Sequence, residues 1–370
     1  MRMIRTIHPV GQGAFYTETF EDDVIVYDCG SKSGEEFLHR EIDTLKGKTV
    51  KALFISHFHV DHINGIKYLL SICKVEYIFV PFLSDELKIY YACLAEEGFF
   101  RDFVIDSQKA IDSMPEKQGN PKVIYVSSES NDSEDENAFD LNNDNNVVIN
   151  SIPSGTSITY RNHIYIWEYI PYNLPNAELE EKVRKACEME GVKNIDKIES
   201  SEWDKIETIF KGEISDKNSF SMVLYSGSCS CVYVDEICCN YYKSSGEPEE
   251  KKLYVSRFEP YGNMRNGCLY TGDCKLENEM YSKILEKYAK KIDNIHVFQI
   301  PHHGAKKNFN FDVLDKFGSS EIFYISVGLK NGYGHPSKDV LLDILNAGKI
   351  LRCVNEKEET GFSIVYYIYK

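Results

Sequence analysis

Apolar and polar positions alternate with a period of two near the N-terminus, the pattern of strands with one buried face. Ile4 to Ile7, Ala14 to Glu18 and Val24 to Asp28 read as three successive strands. Gly11-Gln12-Gly13 and Glu21-Asp22-Asp23 separate them as turns. From Glu35 to Leu45 the period lengthens, and Phe37, Leu38, Ile42 and Leu45 fall on one helical face. Ala52 to Ser56 is a short apolar strand, and Ile63 to Ile72 follows as a helix. Residues 84–113 have helical spacing, as do residues 176–212, where Leu179, Val183 and Cys187 form the apolar stripe. Alternation resumes in the C-terminal half. Ser219 to Tyr225, Cys268 to Tyr270, Ile295 to Gln299, Ile322 to Ser326 and Phe362 to Tyr369 read as strands, with Lys275 to Lys291 and Ser337 to Asn346 as helices. The stretch 84–215 therefore separates two strand-bearing parts, and it is expected to be an insertion, a cap over a site. No internal repeat is present.

Composition adjusts this picture only in places. The 370 residues are 42% hydrophobic, enough for a substantial core, and one elaborated domain over 1–370 is expected. No run of 18 apolar residues exists, so no transmembrane helix or membrane partner is expected. The N-terminus enters its first strand directly, without the apolar stretch of a signal peptide, and cytoplasmic residence is the expectation. The eleven cysteines are then reduced thiols. Cys229, Cys231, Cys238 and Cys239 cluster, but they lack the paired knuckles of a structural zinc site and read as ordinary thiols. The net charge of −16 argues against a broad basic face. It is unevenly spread, because 127–146 carries Glu129, Asp132, Glu134, Asp135, Glu136, Asp140 and Asp144 with no Lys or Arg. That run has the composition of a mobile acidic loop. The total charge therefore says little about any one face.

The chemistry concentrates elsewhere. His57-Phe58-His59-Val60-Asp61-His62 places four metal-ligand side chains in six residues. On an extended segment His57 and His59 point to one side, and a turn aims Asp61 and His62 at a neighbouring position. Imidazole with carboxylate suits zinc, and also manganese or iron. The motif sits between a strand and a helix, at the C-terminal edge of a sheet, where such folds hold their sites. Three further motifs follow strands or precede helices: Thr271-Gly272-Asp273, Pro301-His302-His303-Gly304 and Gly334-His335-Pro336. Six of the ten histidines lie in these motifs, whereas His8, His39, His163 and His296 are scattered and read as structural.

Ser56 to His62 resembles the HxHxDH hallmark of the metallo-β-lactamase superfamily. Val10 to Phe15 and Asp28-Cys29-Gly30 look like that family's opening. Asn218-x-x-Ser221, Thr-Gly-Asp, Pro-His-His-Gly and Gly-His-Pro, in that order, resemble the hydrolase domain of the competence protein ComEC and its soluble relatives. The resemblance covers roughly residues 1–80 and 218–345. It implies an α+β fold, an αββα sandwich with a helical and acidic-loop insertion at 84–215. It also implies two divalent ions, zinc first, with a bridging carboxylate from Asp273 and ligands His57, His59, Asp61, His62 and His335. Asp28 would orient a ligand from behind. His302 or His303 would protonate the leaving group or contact the substrate, with Asp61 counted among the catalytic residues. The alternative exchanges these roles, making His302 or His303 the ligand and leaving His335 outside. Asn218 and Lys306 would lie near the substrate.

Two departures from the family pattern stand out. The superfamily supplies another histidine between HxHxDH and the bridging aspartate, and His163 is the sole histidine in that interval. The His57/His59 metal is thus left one protein ligand short. Ala305 replaces the serine that usually follows His-His-Gly, removing one hydroxyl. The implied function is hydrolysis by a metal-activated water, with a phosphodiester or nucleic acid as leading substrate. Two alternatives stay open: a hydrolase of small esters, lactones or phosphorylated head groups, and a metal-binding interaction module without catalysis.

Overall fold

The structure is a computed structural model, which describes residues 2–130, 139–143, 149–161, 166–174, 177–189, 198, 203, 206, 208, 210, 221–229, 233–239 and 265–369. Asn218, His163, Cys231 and most of the acidic run 127–146 lie outside the described residues.

Two sheets carry the fold. The first contains β1 (Arg2–Ile7), β2 (Gly13–Phe20), β3 (Asp23–Ser31), β4 (Thr49–Phe54), β5 (Lys74–Pro81), β6 (Lys122–Ser130), β8 (Ser151–Ser154), β12 (Tyr233–Cys239) and β17 (Phe362–Tyr369). Their order is β12-β17-β1-β2-β3-β4-β5-β6-β8. The second contains β7 (Phe139–Asp140), β9 (Ile158–Arg161), β10 (Ile166–Asn173), β11 (Met222–Ser228), β13 (Gly267–Tyr270), β14 (Ile295–Gln299), β15 (Ile322–Ser326) and β16 (Ile350–Val354). Their order is β16-β15-β14-β13-β11-β10-β9-β7. Strands β3 to β6 pair in parallel, as do β13 to β16, so several C-terminal strand ends gather at one edge of each sheet.

Three apolar clusters make the layers. Between the sheets, Phe54, Tyr27 and Phe79 of the first meet Tyr169, Met222 and Tyr270 of the second. On the outer face of the first sheet pack α1 (Glu35–Asp43), α3 (Ile66–Ile72), α4 (Asp85–Leu94), α5 (Phe99–Ile105), α6 (Ser107–Asp112) and α7 (Ala177–Met189), with α2 (Val60–Ile63) at its edge. The outer face of the second sheet is covered by α8 (Asn278–Lys287), α9 (Asp312–Lys316) and α10 (Lys338–Asn346). The result is the αββα sandwich.

Residues 84–215 depart from the expected insertion. Their helices do pack together on the first sheet, but the stretch also supplies β6 and β8 to the first sheet and β7, β9 and β10 to the second. Removing it would strip strands from both layers. The helix expected over Ile63 to Ile72 is also broken. Asn64 turns its side chain to the Ser31 backbone, accepting from Ser31 N at 2.8 Å and donating to Ser31 O at 2.7 Å. Gly65 N donates to Cys29 O at 2.9 Å. These bonds tie the end of α2 to β3 and force a restart at Ile66.

A charged pair sits in the inter-sheet layer. Arg5 and Glu18 face each other in register across β1 and β2, 2.8 Å apart and buried. Glu18 also accepts from Tyr169 Oη (2.8 Å), Tyr270 Oη (2.9 Å) and Ser226 Oγ (2.7 Å), joining the two sheets. Removing one partner strands the other charge in a water-excluded layer. Glu18→Ala is expected to destabilise the fold by about 3–5 kcal/mol, readable as a lowered urea midpoint.

Candidate metal centre

The site lies where the C-terminal strand edges of both sheets meet. Met222 N donates to Ser56 O at 2.7 Å, stitching the end of β4 to the start of β11. The chain after β4 runs extended through His59 (φ −72°, ψ 149°) and then turns into α2, which carries Asp61 and His62. Asp273 follows β13, His302 and His303 follow β14, and the loop bearing His335 follows β15.

Backbone irregularities aim these side chains. At Asp28 the β2–β3 register slips by one: Phe15 faces Cys29, yet Tyr16 faces Tyr27. Asp28 is the extra residue of this bulge, with φ +56°. His302 and His303 are also left-handed, at φ +48° and +55°. Such backbone is costly outside glycine and is held only when its surroundings demand it. Close approach needs glycine at two neighbouring points. A Cβ on Gly30 would come within 2.4 Å of the Asp61 carbonyl carbon, so α2 lies on β3 only because Gly30 has none. Gly272, at φ +53°, packs against Ser56 and Ser221.

Hydrogen bonds fix the ring nitrogens. Asp28 is fully buried and accepts from Ser56 N (2.7 Å), Ser56 Oγ (2.7 Å) and His62 Nδ1 (2.8 Å). His62 therefore carries its Nδ1 proton toward Asp28. Its Nε2 is buried without a hydrogen-bond partner, 3.4 Å from Asp273 Oδ1. Ser56 Oγ has given its proton to Asp28, so His57 Nδ1, 2.9 Å away, donates to it. That leaves His57 Nε2 bare, 3.6 Å from Asp273 Oδ2 and 3.0 Å from His59 Nδ1. His303 Nδ1 donates to the Ser326 carbonyl at 2.7 Å, leaving its Nε2 to face Asp61 Oδ2 at 3.3 Å. His302 Nδ1 donates to Asn308 Oδ1 at 2.8 Å, and Asn308 Nδ2 in turn donates to Asp273 O at 3.0 Å. Each of these four rings is oriented by a bond on its far nitrogen, the arrangement that sets a metal ligand or a proton donor.

The electrostatics fit a cation. Burial, then the neighbouring His62 and His59 rings, push His57 well below the usual histidine range. Burial also lowers His59, to about 4. Burial would lower His62 too, but Asp28 and Asp273 outweigh it and hold that ring well above its ordinary value. Burial likewise works against ionised Asp61 and Asp273, yet their contacts keep both well below the carboxylate range: His303, His62 and Lys32 for Asp61, and His62, His57 and His302 for Asp273. Positive charge is thus favoured where His62 Nε2 meets the two carboxylates, and a proton and a divalent cation are alternatives for that place.

Among the described residues, two groups of three atoms able to bind metal lie within 4.8 Å of one another: His57, His62 and Asp273, and Asp61, His62 and His303. His62 is shared, and Asp273 turns one oxygen toward His62 and the other toward His57. His335 is in neither group. Its half-buried ring lies 5.5 Å from His302, so His303 rather than His335 is brought to Asp61 and His62. Lys306 is exposed and ion-paired to Asp339 on α10, not turned to the centre. Sequence reading missed the roles of Ser56, Ser221, Asn308 and Lys32. Ser221 Oγ lies 3.2 Å from His57 Nδ1 and accepts from Asp273 N at 2.9 Å. Lys32 Nζ lies 2.8 Å from Asp61 Oδ1, leaving Oδ2 for the centre. Ser221 and Ser56 had a sequence signal, their places in the Asn218-x-x-Ser221 motif and at the head of the HxHxDH segment.

This sandwich, with histidine and aspartate side chains gathered at the joint edge of its sheets, is the metallo-β-lactamase fold. The family model described as "Metallo-beta-lactamase superfamily" matches residues 14–99, which include HxHxDH. Among curated proteins, the chain is 36% identical to ribonuclease J of Mycoplasma pneumoniae over 90 residues and 34% identical to that of Mycoplasma genitalium over 92. Each match covers 22% of this chain and 16% of the relative, so the chain spans about a sixth of those proteins' length. Among solved structures, human tRNase Z, short form, aligns over 96% of this chain and 92% of its own at 10% identity and a TM-score of 0.38. The metallo-beta-lactamase fold protein YhfI of Bacillus subtilis aligns over 98% of each chain at 10% identity and 0.42. Zn(2+)-bound PqqB of Methylobacterium extorquens aligns over 96% and 98% at 6% identity and 0.39.

Proposed function

We propose that this protein is a metal-dependent phosphodiesterase acting on nucleic acid. The observation that carries the reading is the convergence of three imidazole Nε2 atoms, from His57, His62 and His303, on the carboxylates of Asp61 and Asp273. In this reading His57 and His59 would hold one divalent ion, Asp61, His62 and His303 would hold the second, and Asp273 would contribute its carboxylate beside His57 and His62. Zinc suits the donor set, as do manganese and iron. Two such ions supply Lewis acidity toward the phosphoryl oxygens and lower the pKa of a water.

The chain's own residues do the rest. Asp28 and Ser56 fix His57 and His62 so that binding costs no reorganisation. Lys32 keeps Asp61 ionised and turned by its Oδ1. His302 is the proton donor to the leaving oxygen. Its Nδ1 is anchored on Asn308, and its Nε2 faces the centre, 3.9 Å from Asp273 Oδ2. The ribonuclease J likeness over about 90 residues supports a nucleic-acid substrate, and the second-half motifs support the competence-type subgroup.

End-labelled single-stranded RNA and DNA test the reading. Wild type is expected to cleave at least one of them. His302→Ala is expected to retain metal while kcat falls roughly 10²–10⁴-fold. Cleavage of neither polymer, with turnover of a small carboxylic ester or lactone, would move the function to small-molecule hydrolysis, which the charge of −16 favours.

A further inference from the structure

The loop from Gly328 to Ser337 carries the most exposed large apolar side chain among the described residues, Tyr333, at 66%. Asn331 shapes this loop. Its Nδ2 donates to Gly328 O (2.7 Å) and His335 O (2.9 Å), and its Oδ1 accepts from Tyr333 N (3.3 Å) and His335 N (3.2 Å). A Cβ added to Gly332 or Gly334 would meet nothing, so the tip stands clear of the body. The loop thereby holds the rings of Tyr333 and His335 nearly parallel, 14° apart with centroids 6.2 Å apart. His335 in turn lies 5.5 Å from the His302 ring. The two rings lead outward from the proton donor. Positive charge stands nearby: Lys32 on Asp61, and Lys307 in the chain after His303.

An exposed phenol ring costs solvation without packing, and His335 is left outside the ligand groups. Both facts are accounted for by one occupant. We infer that Tyr333 and His335 form a stacking platform for a nucleobase next to the phosphodiester being cut. The inference rests on the phosphodiesterase reading above and names the substrate more closely: a single-stranded segment whose bases are free to stack. Every base has a π-face, so the platform selects nucleotides over simple phosphodiesters without selecting sequence.

Two substrates that release the same chromophore test this: the p-nitrophenyl ester of thymidine 5′-phosphate and methyl p-nitrophenyl phosphate. The ratio of their kcat/KM values is the readout. Tyr333→Ala is expected to lower the preference for the nucleotide ester at least about fivefold, mainly through KM, and Tyr333→Phe to preserve it. An unchanged ratio in Tyr333→Ala overturns the platform. If neither ester is cleaved, the phosphodiesterase reading fails by itself. The platform is then read by fluorescence anisotropy of a labelled oligothymidylate. Wild type should bind at least about fivefold more tightly than Tyr333→Ala, and equal binding overturns it.

Discussion

Asp273→Ala is expected to abolish hydrolysis and to release metal, in a protein that still folds. Asp273 faces His62 with one oxygen and His57 with the other, at 3.4 and 3.6 Å. It is the carboxylate of the His57, His62 and Asp273 group, and it reaches His62, the ring that the two groups share. Its removal also takes away one of the two carboxylates, Asp28 and Asp273, that face the His62 ring. Loss of several kcal/mol of transition-state stabilisation corresponds to a rate reduction of about 10³-fold or more. The fold should persist, because Asp273 sits on a turn after β13 rather than inside an apolar cluster. Metal content by mass spectrometry, with circular dichroism as the control for folding, separates this from unfolding. A variant that keeps both metals and near-normal rates would remove Asp273 from the centre.

The second large effect distinguishes two histidines. His303→Ala is expected to empty the Asp61/His62 position, whereas His335→Ala should keep full metal content. His303 Nδ1 is tied to Ser326 O, and its Nε2 is aimed at Asp61 Oδ2. His335 belongs instead to the ring pair with Tyr333. Even residues that only orient a ligand alter metal affinity by about 10–100-fold, so loss of a ligand itself should exceed that range. Equilibrium titration of the metal-stripped variants with zinc or manganese reads the difference. The reverse ranking would restore the role that resemblance alone implied for His335.

The two histidines show where sequence stops informing. HxHxDH is legible because four ligand side chains within six residues rarely come together except around a metal, and one strand–helix junction holds them all. The second half of the site is assembled from three strand ends, and motif order cannot say which ring faces inward. The left-handed backbone at His302 and His303 decides that, and no spacing encodes it. Asp28 was legible as a supporting carboxylate, but its bulge was not, since an extra residue in a strand breaks no visible pattern. Ser56, Asn308 and Lys32 are common residues in unremarkable settings. Their roles come from contacts across the chain, such as Asn308 spanning from His302 to the Asp273 carbonyl.

The middle of the chain departs from expectation for a related reason. β6 runs into the Ser- and Asp-rich stretch that follows it, and its end is polar. β10 contains Pro171, which normally argues against an internal strand. Its tolerance follows from the pairing: β9 pairs with β10 only over Ile166–Tyr169, so the ladder on that side ends before Pro171 and asks no N–H of it. Composition favoured a cap, whereas pairing made these segments part of both sheets. The strands at either end were legible because their alternation reports one face against the inter-sheet core, and Ile295–Gln299 and Ile322–Ser326 fall where the pattern places them.

The converging His and Asp side chains are proposed to hold divalent metal and to use it to cut phosphodiesters. The most direct measurement is turnover of bis(p-nitrophenyl) phosphate by purified protein before chelation, after chelation and dialysis, and after adding back zinc or manganese. Turnover is expected to disappear on chelation and to return with at least one of these metals. Turnover that continues undiminished in the metal-free protein would contradict a metal-dependent centre.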